Sequence, residues 1–204
     1  MPHPNRVQPD GTFLASEARG TLTGNRGVLH DAQRQIGPAR WKHRAWVCCA
    51  LSFRGRHRDI MPPNRWTALF FLDEAVALAA GHRPCGFCRR DAYADFARAW
   101  ANAFGTWPGP KAADTALHAA RAIPGARDLR QDEAEADALP DGTLIRIDDI
   151  PHLIRGTTAL PYTPQGYGPP GPRPMGRVTC LTNPVTRGVL AGGYAPRLHP
   201  SATG

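Results

Sequence analysis

The sequence predicts an α+β protein, and three observations carry that prediction. Apolar runs of strand length occur at 45–53 and 66–72, apolar residues at helical spacing follow over 89–104, and strand-like runs return after residue 139. The 21 glycines and 21 prolines among 204 residues imply short elements joined by many ordered turns, and the 42% hydrophobic share suffices for a core. Long helical bundles and disordered chains are excluded on that composition.

Each element follows from its own local signal. Asp10-Gly11-Thr12-Phe13-Leu14 reads as a turn into a short strand, and glycines at 20, 24 and 27 mark 18–30 as loops and edges. Trp46, Val47, Cys48, Cys49, Leu51 and Phe53 make an apolar run, after which Arg54-Gly55-Arg56 is expected to return the chain through 57–61 as a hairpin. Met61-Pro62-Pro63-Asn64 breaks the pattern before the short strand at 66–72. Asp73-Glu74, then Ala75 to Ala80 and a stop at Gly81, form a helix of two or three turns. Tyr93, Phe96, Ala97, Trp100 and Phe104 lie three or four apart, giving a longer helix one apolar stripe, with the hairpin as its expected partner. Residues 112–122 suit a helix, whereas 127–138 is charged and reads as a connection or surface helix. A strand pair at 144–147 and 152–154, a Pro/Gly loop over 162–176, a strand at 178–181 and a helix at 184–191 complete the chain.

Charge is distributed unevenly. Residues 1–111 hold 16 Arg and Lys against 8 Asp and Glu, and residues 112–204 hold 9 of each, so the whole surplus of +8 lies in the first half. That is the distribution of a module facing phosphate or another polyanion. Arg54, Arg56, Arg58, Arg83, Arg89 and Arg90 are the candidate nucleic-acid contacts, with Trp66 near them in sequence for stacking. No apolar run is long enough for a membrane span and no signal segment is visible, so a cytoplasmic protein without a membrane partner is expected.

The five cysteines, Cys48, Cys49, Cys85, Cys88 and Cys180, are an odd number without an export signal, which argues for thiols over a disulfide framework. Cys85-Gly86-Phe87-Cys88 sits between one helix stop and the next helix start. Two intervening residues let both sulfurs address one ion, and Arg83, Arg89 and Arg90 are expected to lower the thiol pKa. That is half of a Zn2+ site. A thioredoxin-like redox pair needs a preceding strand within a βαβ unit, and here a helix precedes. Cys48 and Cys49 are the natural further donors, but neighbours on a regular strand point to opposite faces, so only one of them reaches a given ion. His30, His43, His57 and Cys180 are the remaining candidates for a missing ligand.

Phe70-Phe71-Leu72-Asp73-Glu74-Ala75 and Ala79-Ala80-Gly81-His82-Arg83-Pro84-Cys85-Gly86-Phe87-Cys88-Arg89 together resemble the second half of the zinc module of Ada-type DNA methyl-phosphotriester repair proteins. There an aromatic strand, a short helix ending in Gly, an aromatic ring, Arg-Pro and a Cys-x-x-Cys knuckle follow in that order. The resemblance covers about a tenth of the chain. It implies a small zinc-bearing α+β module with Cys85 and Cys88 as ligands, and His82 as packing in an aromatic position. The family supplies its other cysteines as an upstream Cys-x-x-x-Cys pair, one of which accepts the methyl group. This chain has Cys48-Cys49 instead, which argues against methyl transfer and leaves the metal knuckle with a nucleic-acid role. The chain as a whole also resembles bacterial proteins that carry this knuckle.

These readings combine into a basic zinc-knuckle module of short antiparallel strands and two helices over 1–111, a linker or surface helix over 112–138, and a small β-rich C-terminal unit over 139–204. The function expected is that of a zinc-binding, nucleic-acid-associated protein. The alternative is an enzyme, either thiol-dependent through Cys48 or Cys49 or metal-dependent through His30 and Asp31. Gly166-Tyr167-Gly168-Pro169-Pro170-Gly171 matches a dinucleotide fingerprint only in form, because its prolines preclude the helix that would receive a pyrophosphate.

Overall fold

The computed structural model describes residues 2–55, 60–125 and 127–203. Within them the chain runs β1 (Arg6–Val7), β2 (Phe13–Leu14), β3 (Leu22–Asn25), β4 (Val47–Ala50), β5 (Leu69–Phe71), α1 (Glu74–Ala79), β6 (Arg83–Pro84), α2 (Arg90–Phe104) and α3 (Pro110–Arg121). It continues with β7 (Asp132–Glu135), β8 (Leu144–Ile147), β9 (Ile150–Arg155), β10 (Thr158–Thr163), β11 (Gly166–Tyr167), β12 (Gly171–Pro172), β13 (Arg177–Cys180) and α4 (Pro184–Ala191). This is a mixed α+β architecture with two sheets. The first has the order β2-β1-β5-β3-β4-β6 and is antiparallel except for the β1/β5 and β4/β6 pairs. The second, β11-β10-β9-β8-β13-β7 with β12 beside β10, is antiparallel throughout.

Helix α1 lies at the centre, and every one of its residues is buried. Its small side chains Ala75, Val76, Ala77 and Ala79 share one apolar cluster with Val7, Leu69 and Phe71 of the first sheet and Leu144, Leu153 and Leu160 of the second. Alanine suits the position, because a helix pressed between two layers has room for little beyond a methyl group. Leu78 instead joins Phe96 and Trp100 of α2, Leu117 of α3 and Val189 and Leu190 of α4. Asp73 caps the helix by accepting the Val76 amide at 3.0 Å.

Several connections differ from the sequence expectation. The stretch 18–30 contains β3, which lies between β4 and β5; its Leu-Thr-Gly-Asn sequence carries no apolar alternation to announce it. Strand β4 pairs with β3 and β6; of the proposed hairpin, residues 56–59, Arg56 and Arg58 included, lie outside the described residues. The stripe of α2 packs on α3 and α4. The 112–138 segment supplies a core helix and the edge strand β7, and Leu144, Leu153, Leu160 and Tyr162 of the C-terminal segment share their core with the N-terminal sheet.

A concentration of cationic groups surrounds Trp46 beneath the C-terminal end of α1. The Arg121 and Arg26 guanidinium carbons lie over its ring at 3.8 and 4.3 Å. Arg26 donates to the carbonyls of Gly11 and Ala80, and Arg121 to those of Gly81 and Arg44. The two arginines therefore satisfy carbonyls left over at the end of α1, where positive charge is also favoured by the helix dipole. Burial pushes the Arg26 guanidinium down to about 9 and that of Arg121 well below its usual value.

His82 lies in the same cluster, its ring 4.6 Å from that of Phe71 and 5.4 Å from that of Trp46; its ring nitrogens face the Ala77 and Ala80 backbone without forming a well-aligned hydrogen bond among the described residues. Burial, and then Arg26 and Arg121, hold its pKa well below the ordinary value. A histidine kept neutral in the folded state and titrating near pH 6.5 when unfolded contributes stability above about pH 6.5 and loses it as pH falls. The window that matters lies between about pH 7.5 and 5, on either side of the unfolded-state value. Thermal unfolding of His82→Phe across that range is expected to show a shallower decline in Tm than the parent protein, and parallel declines would contradict this.

Candidate metal centre

The site is assembled by strand geometry. Strand β4 pairs antiparallel with β3, placing Thr23 opposite Cys49 and Gly24 opposite Cys48. On its other side it pairs parallel with β6, whose Pro84 is register partner to Cys48. The Cys85 amide continues that ladder by donating to the Cys48 carbonyl at 3.0 Å, which fixes the knuckle against the end of β4. The knuckle turns tightly enough for the Arg89 amide to donate back to the Cys85 carbonyl at 3.1 Å, and α2 begins at the next residue.

Cys49, Cys85 and Cys88 converge, with all three sulfurs within 4.8 Å of one another. Tetrahedral zinc with bonds of about 2.3 Å places its thiolate sulfurs about 3.8 Å apart, so the spacing fits one ion. Three soft sulfur donors select zinc or another thiophilic metal over magnesium or calcium. Cys49 is almost buried, whereas Cys85 and Cys88 are half-buried. The Cys85 thiol is pulled down to about 4, first by a hydrogen bond from the Cys49 thiol and then by the amides of Cys88 and Phe87; the Phe87 amide lies 3.4 Å from its sulfur. The hydrogen bond to Cys85, with burial second, pushes the Cys49 thiol up. Proximity to arginine, the expected cause, is not what depresses Cys85. The cluster therefore favours a thiolate at Cys85 that accepts a hydrogen bond from the protonated Cys49, and a divalent ion bound there would displace that proton.

Cys48 points to the other face of the strand, as alternation requires. It is wholly buried, and burial pushes its thiol up to about 12, although Arg89 opposes the shift. Arg89 donates through Nη1 to the Cys48 sulfur at 3.0 Å and through Nη2 to Glu74 Oε1 at 2.8 Å. Glu74 also accepts from the Tyr194 hydroxyl at 2.5 Å and from the Arg197 amide at 2.9 Å. The residue after Cys88 is thus anchored to the first turn of α1 and to the C-terminal tail. On the opposite flank Arg83 makes two 2.8 Å contacts with Asp114 of α3. Two of the six arginines singled out for nucleic acid are therefore internal tethers, and two lie outside the described residues. Arg54 and Arg90 are exposed.

The other candidate ligands stand apart from the cluster. His30 engages Thr67 Oγ1 at 2.7 Å and the Pro62 carbonyl at 3.3 Å, and Asp31 accepts the amides of Gln33 and Gln35, so the two do not form an acid–base pair. His43 contacts Asn25 at 3.2 Å. Cys180 is buried with Leu139, Ile145 and Ile154 in the second sheet. His57 lies outside the described residues. Among the described residues no fourth His, Cys, Asp or Glu joins the three sulfurs.

Beside Cys88 opens a cleft of about 690 Å³, with Leu51, Glu74, Arg90, Asp91 and Arg197 in its wall. Sequence reading missed Glu74 and Tyr194 as partners of the knuckle. An acidic residue in a first helical turn signals only favourable dipole placement, and the 120-residue separation between Glu74 and Tyr194 leaves no local trace. No helix of the described residues is long and apolar enough to cross a membrane. No protein-family model, curated protein or solved structure matches the chain, so the chemistry of these residues carries the functional argument.

Proposed function

We propose that the chain is a zinc-binding, nucleic-acid-associated protein in which Cys49, Cys85 and Cys88 hold the ion. The observation that carries the reading is the convergence of three sulfurs from a strand and a knuckle, one of them favoured as thiolate. Zinc bound there neutralises thiolate charge and cross-links β4 to the segment leading into α2. The uncapped first turn of α2 directly follows the knuckle and favours the net negative charge of a thiolate-rich centre. Replacing zinc with Co2+ tests the ligand set: the thiolate-to-metal absorption is expected to have the intensity of three sulfurs and to be lost in Cys49→Ser. An unchanged spectrum in that variant contradicts the assignment.

The nucleic-acid part rests on the basic N-terminal half and on the exposure of Arg54 and Arg90 near the knuckle. Phosphate contacts release counterions, so affinity for an oligonucleotide is expected to fall at least tenfold between about 50 and 200 mM salt. Arg54→Ala and Arg90→Ala are each expected to reduce the slope of log affinity against log salt by about 1. A salt-independent affinity contradicts phosphate contact.

The cleft beside Cys88 favours a second reading, a metal-dependent enzyme whose ion keeps one position for substrate. Added azide or cyanide shifts the Co2+ spectrum in that case and leaves a four-ligand site unchanged. A thiol-dependent enzyme using Cys48 is disfavoured by its complete burial.

A further inference from the structure

The metal knuckle carries an exposed aromatic ring at its tip. Phe87, between the two knuckle cysteines, keeps 45% of its surface exposed. Its ring meets that of Phe53 edge-on, with centroids 5.2 Å apart and planes at 65°. The Arg54 guanidinium lies over Phe53 at 5.2 Å, in a turn where Arg54 and Gly55 both adopt the left-handed conformation. Leu51, 47% exposed, precedes this pair at the end of β4, and exposed Arg90 follows the knuckle.

A hydrophobic ring in a metal-clamped turn is held rigidly and loses little freedom on binding. Arg54 and Arg90 are exposed cations beside it, in the half of the chain that holds the whole charge surplus. An apolar protein partner has no use for that rim, and a phosphate backbone alone has no use for the ring. A single-stranded nucleic acid uses both, because an unpaired base presents an apolar face for stacking while its phosphates meet arginine. Duplex DNA keeps its bases stacked on one another and offers the ring no such face.

We infer that Phe87, supported by Phe53 and flanked by Arg54 and Arg90, is a stacking platform for a base of single-stranded nucleic acid. The inference rests on the nucleic-acid reading above and adds which form of nucleic acid is bound and by which contact.

The test measures binding of the full chain to oligo-dT and oligo-U of about 20 nucleotides and to a duplex of equal length, by fluorescence anisotropy at low salt. Either single strand is expected to bind more tightly than the duplex. Phe87→Ala is expected to weaken single-strand binding by about 5- to 100-fold, with the duplex changed less than about twofold, since stacking is lost and phosphate contacts remain. Phe87→Trp restores single-strand binding, and metal content stays that of the parent in both variants, because the residue 87 amide beside Cys85 is kept. Equal binding by the parent and Phe87→Ala overturns the platform while leaving the phosphate contacts standing. Failure of every oligonucleotide to bind overturns both. A change in oligomeric state on Phe87→Ala with unaltered oligonucleotide affinity identifies the patch as a contact between copies of the chain and also overturns the proposal.

Discussion

Removing the metal, by chelation or by Cys85→Ser, is expected to lower the thermal unfolding midpoint by about 10 °C or more. An ion held by the three sulfurs would join β4 to a knuckle whose other attachments to that strand are the short β6 ladder and the Cys85 amide bond to the Cys48 carbonyl. Structural zinc contributes on the order of 10 kcal/mol in small domains, and even a third of that is large for a chain of this length, where each kcal/mol moves Tm by about 2–4 °C. The effect has a built-in comparison. Cys48→Ser removes a sulfur one residue from Cys49 on the opposite face of the strand, and Cys180→Ser removes one from a separate cluster. Both variants are expected to disturb packing while keeping the metal. A Cys85→Ser protein that unfolds with the parent's Tm contradicts a structural ion.

The second large effect is expected at Glu74. Its carboxylate, 2% exposed, accepts from Arg89, from the Tyr194 hydroxyl and from the Arg197 amide. Glu74→Ala leaves a mostly buried guanidinium without its counter-charge, a loss of about 3–5 kcal/mol when one partner of a buried pair is removed. Calorimetry is expected to show a fall in Tm of roughly 10 °C, in keeping with the size scaling. Arg89→Met in the Glu74→Ala background removes the uncompensated charge and is expected to recover part of the loss, so the double variant is more stable than additivity allows. Additive losses, or a Glu74→Ala loss below about 1 kcal/mol, contradict the view that this pair ties the knuckle to the core.

The parts of the fold that were legible in the sequence have strong local determinants. Helix α1 has an N-cap aspartate and a glycine stop, α2 an apolar stripe, and β8 and β9 the composition of a hairpin. The grouping of three sulfurs was legible for the same reason: a two-residue spacing defines the knuckle, and strand alternation brings one of Cys48 and Cys49 to it but not both. The choice of Cys49 depends on which face of β4 meets the knuckle, and β3 and β6 settle that through Gly24 and Pro84, the register partners of Cys48, 24 and 36 residues away.

The remainder was hidden because its determinants are distant. Strand β3 is held by neighbours on both sides and has little intrinsic preference to show. Arginine in a sequence does not reveal whether it meets solvent or a buried carboxylate. Arg83 is matched to Asp114 and Arg89 to Glu74 only by tertiary packing, and the basic stretch around the knuckle therefore read as more exposed than it is. Helix α1 packs against residues of both the N-terminal and the C-terminal segments, a contact between distant parts of the chain that composition does not reveal.

Elemental analysis of freshly purified protein, run beside Cys85→Ser and Cys48→Ser, decides whether the three sulfurs hold an ion. About one zinc per chain is expected in the parent and in Cys48→Ser, and little or none in Cys85→Ser. A parent protein without metal, or a Cys85→Ser protein that retains it in full, would contradict this expectation.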